Sequence, residues 1–261
     1  MADVALITGA SSGLGAEFAR LFAVAGHDLV LVARRGDRLE ALAAELVAAH
    51  GIAAHVVVAD LADSRGVAQV TAEVERLGLA ITYLVNNAGF GTNGAFVDLE
   101  QTRELAMVEV NVAAPLALTR AFLPAMVSRG HGRILNIGST AGFQPGPYMA
   151  TYYASKAFLN SFSEALSYEL RATGVTVTLS CPGTTATEFA AVAGSRHSRL
   201  ERLVHAAPAV VAREAYEAMM VGKPLVVHGR ANRAGVQLLR LAPRAAVRAV
   251  VAFVNRPRGS F

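Results

Sequence analysis

From its first residues this chain alternates short apolar runs, rich in β-branched residues, with longer amphipathic stretches. Runs at 4–7, 28–33, 54–59, 81–85, 133–138 and 175–181 read as buried strands, and 223–228 reads as a last one. The stretches between them, roughly 14–25, 38–49, 64–77, 103–129 and 152–172, carry helical periodicity. Strict βαβ alternation predicts a parallel sheet covered on both faces and joined by right-handed crossovers. No composition break, repeat or low-complexity linker interrupts the pattern before residue 184. The expectation is one doubly wound α/β domain over 1–261, with 184–207 as a substrate lid and 231–261 as a C-terminal helical extension.

Ligands of such sheets bind at the carboxyl ends of the strands, beside the point where strand order reverses. The loops that follow each strand are therefore where chemistry belongs. The first is Thr8 to Gly15, TGASSGLG, whose glycines at 9, 13 and 15 allow a tight turn and close approach of backbone to a pyrophosphate. An ordinary βα turn has the same composition. Arg34-Arg35 follows the second strand, where NAD-preferring sites place an acid for the ribose 2′-hydroxyl. Arginine suits a 2′-phosphate instead, so NADP(H) is expected over NAD(H). Asp60-Leu61 after the third strand is placed to bracket an adenine, and Asn86-Asn87-Ala88-Gly89 follows the fourth. Asn111 interrupts the apolar pattern of Met107, Val108, Val110 and Val112, so it either hydrogen-bonds internally or bends its helix.

Tyr152 and Lys156 lie four apart in a helical segment and so share one face. A phenol ionises near pKa ~10, and an ammonium beside it favours the phenolate and lowers that value. Ser139, closing the preceding strand, brings a second hydroxyl to the same region. Two hydroxyls and one cation on a cleft polarise a carbonyl oxygen and hand it a proton. Most Tyr/Lys pairs at this spacing are solvated contacts, but lysine is scarce here: Lys156 and Lys223 are the chain's two lysines. Arginine cannot replace a compact point charge beside a phenol and a ribose.

A hydrophobic content of 53% with 17% charged residues predicts a packed core. The single cysteine, Cys181, forms no intrachain disulfide and accords with a reducing cytoplasm, which is the expected location. The N-terminus lacks a basic n-region and meets glycine before an apolar segment develops, so no signal peptide is expected. Charge is uneven: from Arg196 onward there are 12 Lys/Arg against 3 Asp/Glu, and before it 12 against 17. No base-stacking pattern or nucleic-acid motif accompanies the basic part, so no nucleic-acid partner is expected. No metal-ligand spacing is present either.

TGASSGLG, NNAG, Asn111, Ser139, Tyr152-x-x-x-Lys156 and PG-x-x-x-T, in this order and spacing, resemble the short-chain dehydrogenase/reductases over residues 3 to about 190. The resemblance implies a Rossmann-like fold with a seven-stranded parallel sheet that binds NAD(H) or NADP(H). It implies Tyr152 as general acid/base, Lys156 as its partner and ribose ligand, Ser139 as the group orienting the carbonyl, and Asn111 as holder of a relay water. Gly9, Ser11, Ser12, Gly13, Leu14 and Gly15 are implied to wrap the pyrophosphate, and Arg34 and Arg35 to select the 2′-phosphate. Asp60 and Leu61 are implied to flank the adenine, and Asn87, Ala88 and Gly89 the adjacent ribose and ring. Pro182, Gly183, Thr185 and Thr187 are implied to meet the carboxamide. Tyr153 has Ala157, not a cation, four residues on and is expected to pack. The run Phe90 to Phe96 after NNAG lacks the charged residues of ketoacyl reductases and is similar to a broad bacterial carbonyl-reductase branch.

The implied reaction is reduction of a ketone or aldehyde, reversible to alcohol oxidation. The alternatives are a 3-oxoacyl-thioester reductase and a non-catalytic NADP-binding scaffold. Phe90, Phe143, Tyr148, Tyr153, Phe189 and Val192 are expected to line an apolar cleft, with Gly194-Ser195 as hinge, and His197 and His205 are expected at the surface; these aromatics equally fit a core. Arg240, Arg244 and Arg248 recur every four residues beside an apolar stripe. Homodimer or homotetramer contact, or core packing, is the favoured reading, and a membrane surface or an acidic partner is the minority one.

Overall fold

The computed structural model describes residues 3–194 and 206–257. Among these, seven strands form one parallel sheet: β1 (Val4–Thr8), β2 (Asp28–Ala33), β3 (Ala54–Val58), β4 (Ile81–Asn86), β5 (Gly132–Ile137), β6 (Val175–Cys181) and β7 (Leu225–Val227). Their order is β3-β2-β1-β4-β5-β6-β7. The chain builds outward from β1 to β3, then returns to place β4 on the other side of β1. The crossovers that follow β1 and β4 therefore leave for opposite faces of the sheet, the place where such folds seat a ligand.

Alternate side chains on each strand supply two cores, one per face of the sheet. Ile7, Leu29, Leu31 and Val85 meet Phe18 and Phe22 of α1 (Gly13–Val24), Leu39 and Leu46 of α2 (Gly36–His50), and Ala212 and Met219 of α8 (Pro208–Met220). Leu6, Val30, Val32 and Leu84 meet Val70 and Val74 of α3 (Gly66–Arg76), Leu118 and Met126 of α5 (Ala114–Arg129), and Leu166 of α6 (Ala150–Glu169). Phe18 and Phe22 are fully buried, each side chain contributing about 1.5–3 kcal/mol.

Two elements differ from the sequence expectation. The helix expected unbroken over 103–129 is α4 (Gln101–Val108), a five-residue π segment (Glu109–Ala113) and α5. Asn111 sits in the π segment, which widens the turn around it. The combined helix is long and apolar enough to cross a bilayer by length and composition, yet Leu118, Thr119 and Met126 are buried against the sheet. Helix α8 was not anticipated, although Pro208 in its first turn and Val211, Ala215 and Met219 at helical spacing mark it.

The C-terminal helices are α9 (Arg230–Leu239) and α10 (Arg244–Asn255). Both pack on their own chain, burying Val236, Val251 and Asn255. Leu238 and Val250 on these helices and Leu241 between them are exposed at 65%, 63% and 86%, and Arg240, Arg244 and Arg248 are exposed as well.

Candidate active site

The carboxyl ends of β1, β4 and β5 are tied together before any side chain faces the cleft. Thr8, which the sequence reading left without a role, accepts from the backbone N–H groups of Asn87 and Ala88 at 3.0 Å each and donates to Val85 O. Asn87 Nδ2 donates to Thr8 O at 2.8 Å and to Gly9 O at 3.4 Å, fixing the glycine loop to the loop after β4. A Cβ on Gly15 would stand 2.2 Å from Gly9 O, so only glycine allows the loop to close onto α1 in this way. Ala88, Leu61 and Val110 pack beside Thr8 and Asn86, whose buried Oδ1 has no hydrogen-bond partner.

Ser139, two residues past the end of β5, lies in extended backbone and caps a short 3-10 turn (Thr140–Phe143), its Oγ accepting from Ala141 N at 3.0 Å. The Ser139 hydroxyl stands beside the Tyr152 phenol. Burial raises that phenol above the ordinary tyrosine range, and the Ser139 hydroxyl offsets only part of the rise. Lys156, one turn further along α6, is 5% exposed; its Nζ donates to Ile137 O at 2.7 Å and lies 6.0 Å from the centroid of the Tyr152 ring. Burial pulls the ammonium down to about 8. The expected depression of the phenol by its neighbour is therefore not seen: desolvation raises the phenol and lowers the ammonium.

Asn111 is buried and fully engaged. Its Oδ1 accepts from Phe90 N at 3.1 Å, and Nδ2 donates to Phe90 O at 2.9 Å and to Ser155 Oγ at 3.0 Å. The π segment thus locks the loop after β4 to α6.

Of the expected cleft residues, Phe189 packs on Tyr152 at 5.1 Å between ring centroids, and Tyr153 is buried with its hydroxyl donating to Asn255 Oδ1 at 3.3 Å. Ala141, Met149 and Val251 are buried beside them, with Val247 against the group. The last helix thus walls the site, a contribution no local signal in 231–261 announced. Phe90 lies under the Arg103 guanidinium, and Tyr148, at φ 65, under that of Arg256. Phe143 packs away from Tyr152, against Leu179, Cys181, Val227 and Val236. Val192 is 43% exposed.

Arg34 is exposed and 3.7 Å from Asp60, whose Oδ1 accepts from Ala62 N. Arg35 turns onto the glycine loop, its Nη2 donating to Ser11 Oγ at 3.0 Å and Ser12 Oγ at 2.7 Å. Arg35 and Arg38 both pair with Glu188, at 2.9 Å each; Arg38 and Glu188 were not anticipated, although Arg38 stands in the first turn of α2, four residues past Arg34. In the loop after β6, Pro182 O accepts from Thr140 N, Thr185 Oγ1 donates to Gly183 O, and Thr187 Oγ1 accepts from Phe189 N. A Cβ on Gly13 would stand 3.2 Å from the Thr187 methyl carbon, so this loop lies directly over the glycine loop. Helix α7 (Phe189–Ala193) follows. Ser195, His197 and His205 lie outside the described residues.

The family model for short chain dehydrogenases matches residues 3–197. This chain belongs to the short-chain dehydrogenase family. As a short-chain dehydrogenase it is an oxidoreductase with a nicotinamide cofactor. It is 36% identical to sulfoacetaldehyde reductase 2 of Chromohalobacter salexigens over 93% of this chain and 96% of that one. Two short-chain dehydrogenase structures share its shape. That from Sphingobium yanoikuyae in complex with NADPH has a TM-score of 0.82 at 35% identity, covering 92% of this chain and 93% of that one. That from Burkholderia phymatum in complex with NAD has a TM-score of 0.81 at 29% identity, covering 91% and 92%.

Proposed function

We propose that this chain is an NADPH-dependent reductase of a ketone or aldehyde, with Tyr152 as proton donor, running in reverse as an alcohol dehydrogenase. The observation that carries the reading is the meeting of the Tyr152 and Ser139 hydroxyls at the carboxyl end of β5, with the buried Lys156 ammonium behind them.

When bound, the nicotinamide supplies the hydride in the reducing direction. The fit of a dinucleotide rests on the glycine loop, where Gly9, Gly13 and Gly15 bring backbone amides to the start of α1. Ser11, Ser12 and Leu14 would share the pyrophosphate, Asp60 and Leu61 the adenine, Asn87 to Gly89 the adjoining ribose, and Pro182 to Thr187 the carboxamide. Arg34 and Arg35 supply cations where an NAD site keeps an acid, which supports NADPH.

The Tyr152 hydroxyl gives its proton to the carbonyl oxygen. Ser139 orients that oxygen and donates to the phenolate left behind. Lys156, held by Ile137 O, stabilises the same negative charge through its cation. Asn111 positions Phe90 and Ser155 and so fixes the distance between the loop after β4 and α6. The wall of Ala141, Met149, Tyr153, Phe189 and Val251 supports an apolar or aromatic carbonyl compound.

The test is NADPH oxidation over a panel of ketones, aldehydes and one 3-oxoacyl thioester, with Tyr152→Phe as control. The expected result is turnover of apolar ketones or aldehydes that falls about 10²–10⁴-fold in the variant. Undiminished turnover in Tyr152→Phe would remove Tyr152 from its role, and turnover of the thioester alone would replace the substrate class.

A further inference from the structure

Glu188, the residue before α7, sets Oε2 2.9 Å from Arg35 Nη1 and Oε1 2.9 Å from Arg38 Nη1. One guanidinium therefore takes each oxygen of a single carboxylate. Arg35 also holds both serines of the glycine loop, Ser11 and Ser12. The two arginines keep the Glu188 carboxyl at about 2, so it is anionic at any working pH. All three side chains are 40–49% exposed, so the pair is open to exchange with a solution anion. Glu188 belongs to a segment fastened to the body at further points. The Thr187 methyl rests over Gly13, and Arg103 donates to Val192 O.

We propose that Glu188 is an internal counter-ion seated where a phosphomonoester binds, so that the 2′-phosphate of NADPH takes its place on Arg35 and Arg38. This rests on the NADPH reading and deepens it. Arg38 then joins Arg34 and Arg35 as a specificity-determining residue, and cofactor choice is linked to the segment that roofs the glycine loop. NADH, which brings no anion to this spot, leaves the Glu188 pair in place. Selectivity is thus set by two opposing side chains: Arg38 favours the phosphorylated cofactor and Glu188 competes with it.

Calorimetric titration of NADPH and NADH into the full chain, Glu188→Gln, Arg38→Gln and Asp37→Asn tests this. Asp37→Asn removes a carboxylate from the same turn of α2 that makes no ion pair with either arginine, and so controls for bulk charge. The expected result is that Glu188→Gln tightens NADPH about five-fold relative to NADH. Arg38→Gln should weaken NADPH by a similar factor with NADH unchanged, and Asp37→Asn should shift neither ratio. NADPH binding unchanged or weakened in Glu188→Gln, or tightened equally in Asp37→Asn, would overturn the proposal. If the parent chain shows no preference but Glu188→Gln creates one, the cofactor reading falls and the role of Glu188 stands. If neither shows a preference, both fall.

Discussion

The Lys156 ammonium donates to the carbonyl oxygen of Ile137 at 2.7 Å, which joins the middle of α6 to the last residue of β5. That bond holds a buried cation whose burial disfavours its charge, so Lys156 is a strained group as well as a functional one.

The strain has a stability signature. With its folded value at about 8 against an ordinary 10.5, Lys156 binds fewer protons folded than unfolded between those limits. Stability therefore rises with pH through that window, and at neutral pH the charged lysine opposes folding. Urea melts at pH 7.5 and pH 10 should show a gain for the cofactor-free parent that Lys156→Met lacks. Equal gains in both would place the cation in a solvated setting.

Ser139→Ala removes the hydroxyl beside the Tyr152 phenol but also the acceptor for Ala141 N. A fall in kcat of about 10²–10³-fold is expected, the scale for one lost oxyanion-type donor. The cost in stability should stay near 1 kcal/mol, that of one lost hydrogen bond. A change confined to KM would make Ser139 a binding group only.

Asn255 gathers Tyr153, Pro147 and Asn93 onto the end of α10: its Oδ1 accepts from Tyr153 Oη, its Nδ2 donates to Pro147 O and its carbonyl accepts from Asn93 Nδ2. Asn255→Leu leaves buried polar partners unpaired and should cost about 1–3 kcal/mol. Protease nicking between α9 and α10 should accelerate and KM should rise with kcat little changed. Unaltered proteolysis would mean that Val251 alone docks the helix.

His228 is buried between Ser180, 2.8 Å from Nε2, and Glu214, 2.7 Å from Nδ1. Burial lowers its value, outweighing the carboxylate, so the folded chain resists protonating it. The unfolded chain binds that proton more readily, and stability should fall as pH drops below about 6.5. Denaturant midpoints at pH 7 and pH 5 should differ more for the parent than for His228→Gln. The Ser-His-Glu geometry has no access from solvent, since Ser180 is fully buried, so no hydrolytic activity is expected from it.

How far these residues could be read in advance depends on how local their cause is. Strand β2 occupies the expected residues because a near-continuous apolar run has one solution in a doubly covered sheet, and β6 does so because its β-branched residues favour a strand. The glycine loop, Ser139 and Tyr152-Lys156 were visible because each sits at a strand end or at helical spacing. The π segment was half visible: Asn111 stood out as polar in an apolar helix, but nothing in the sequence says that its partners are Phe90 and Ser155. Asn255 gave no signal at all, since its partners lie 102 and 108 residues away at Tyr153 and Pro147.

By itself the sequence determined the alternation of strand and helix, the family, and which hydroxyls and cation sit near β5, because periodicity and spacing act over a few residues. Only the tertiary structure decided the electrostatics: desolvation holds the Tyr152 phenol up and the Lys156 ammonium down, and burial is a property of the assembled fold. It also decided that Glu188 should meet Arg35 and Arg38, 153 and 150 residues back along the chain. An ion pair across that distance exists only once the parallel sheet has aimed the loops after β2 and β6 to the same side, although the two strands stand four places apart.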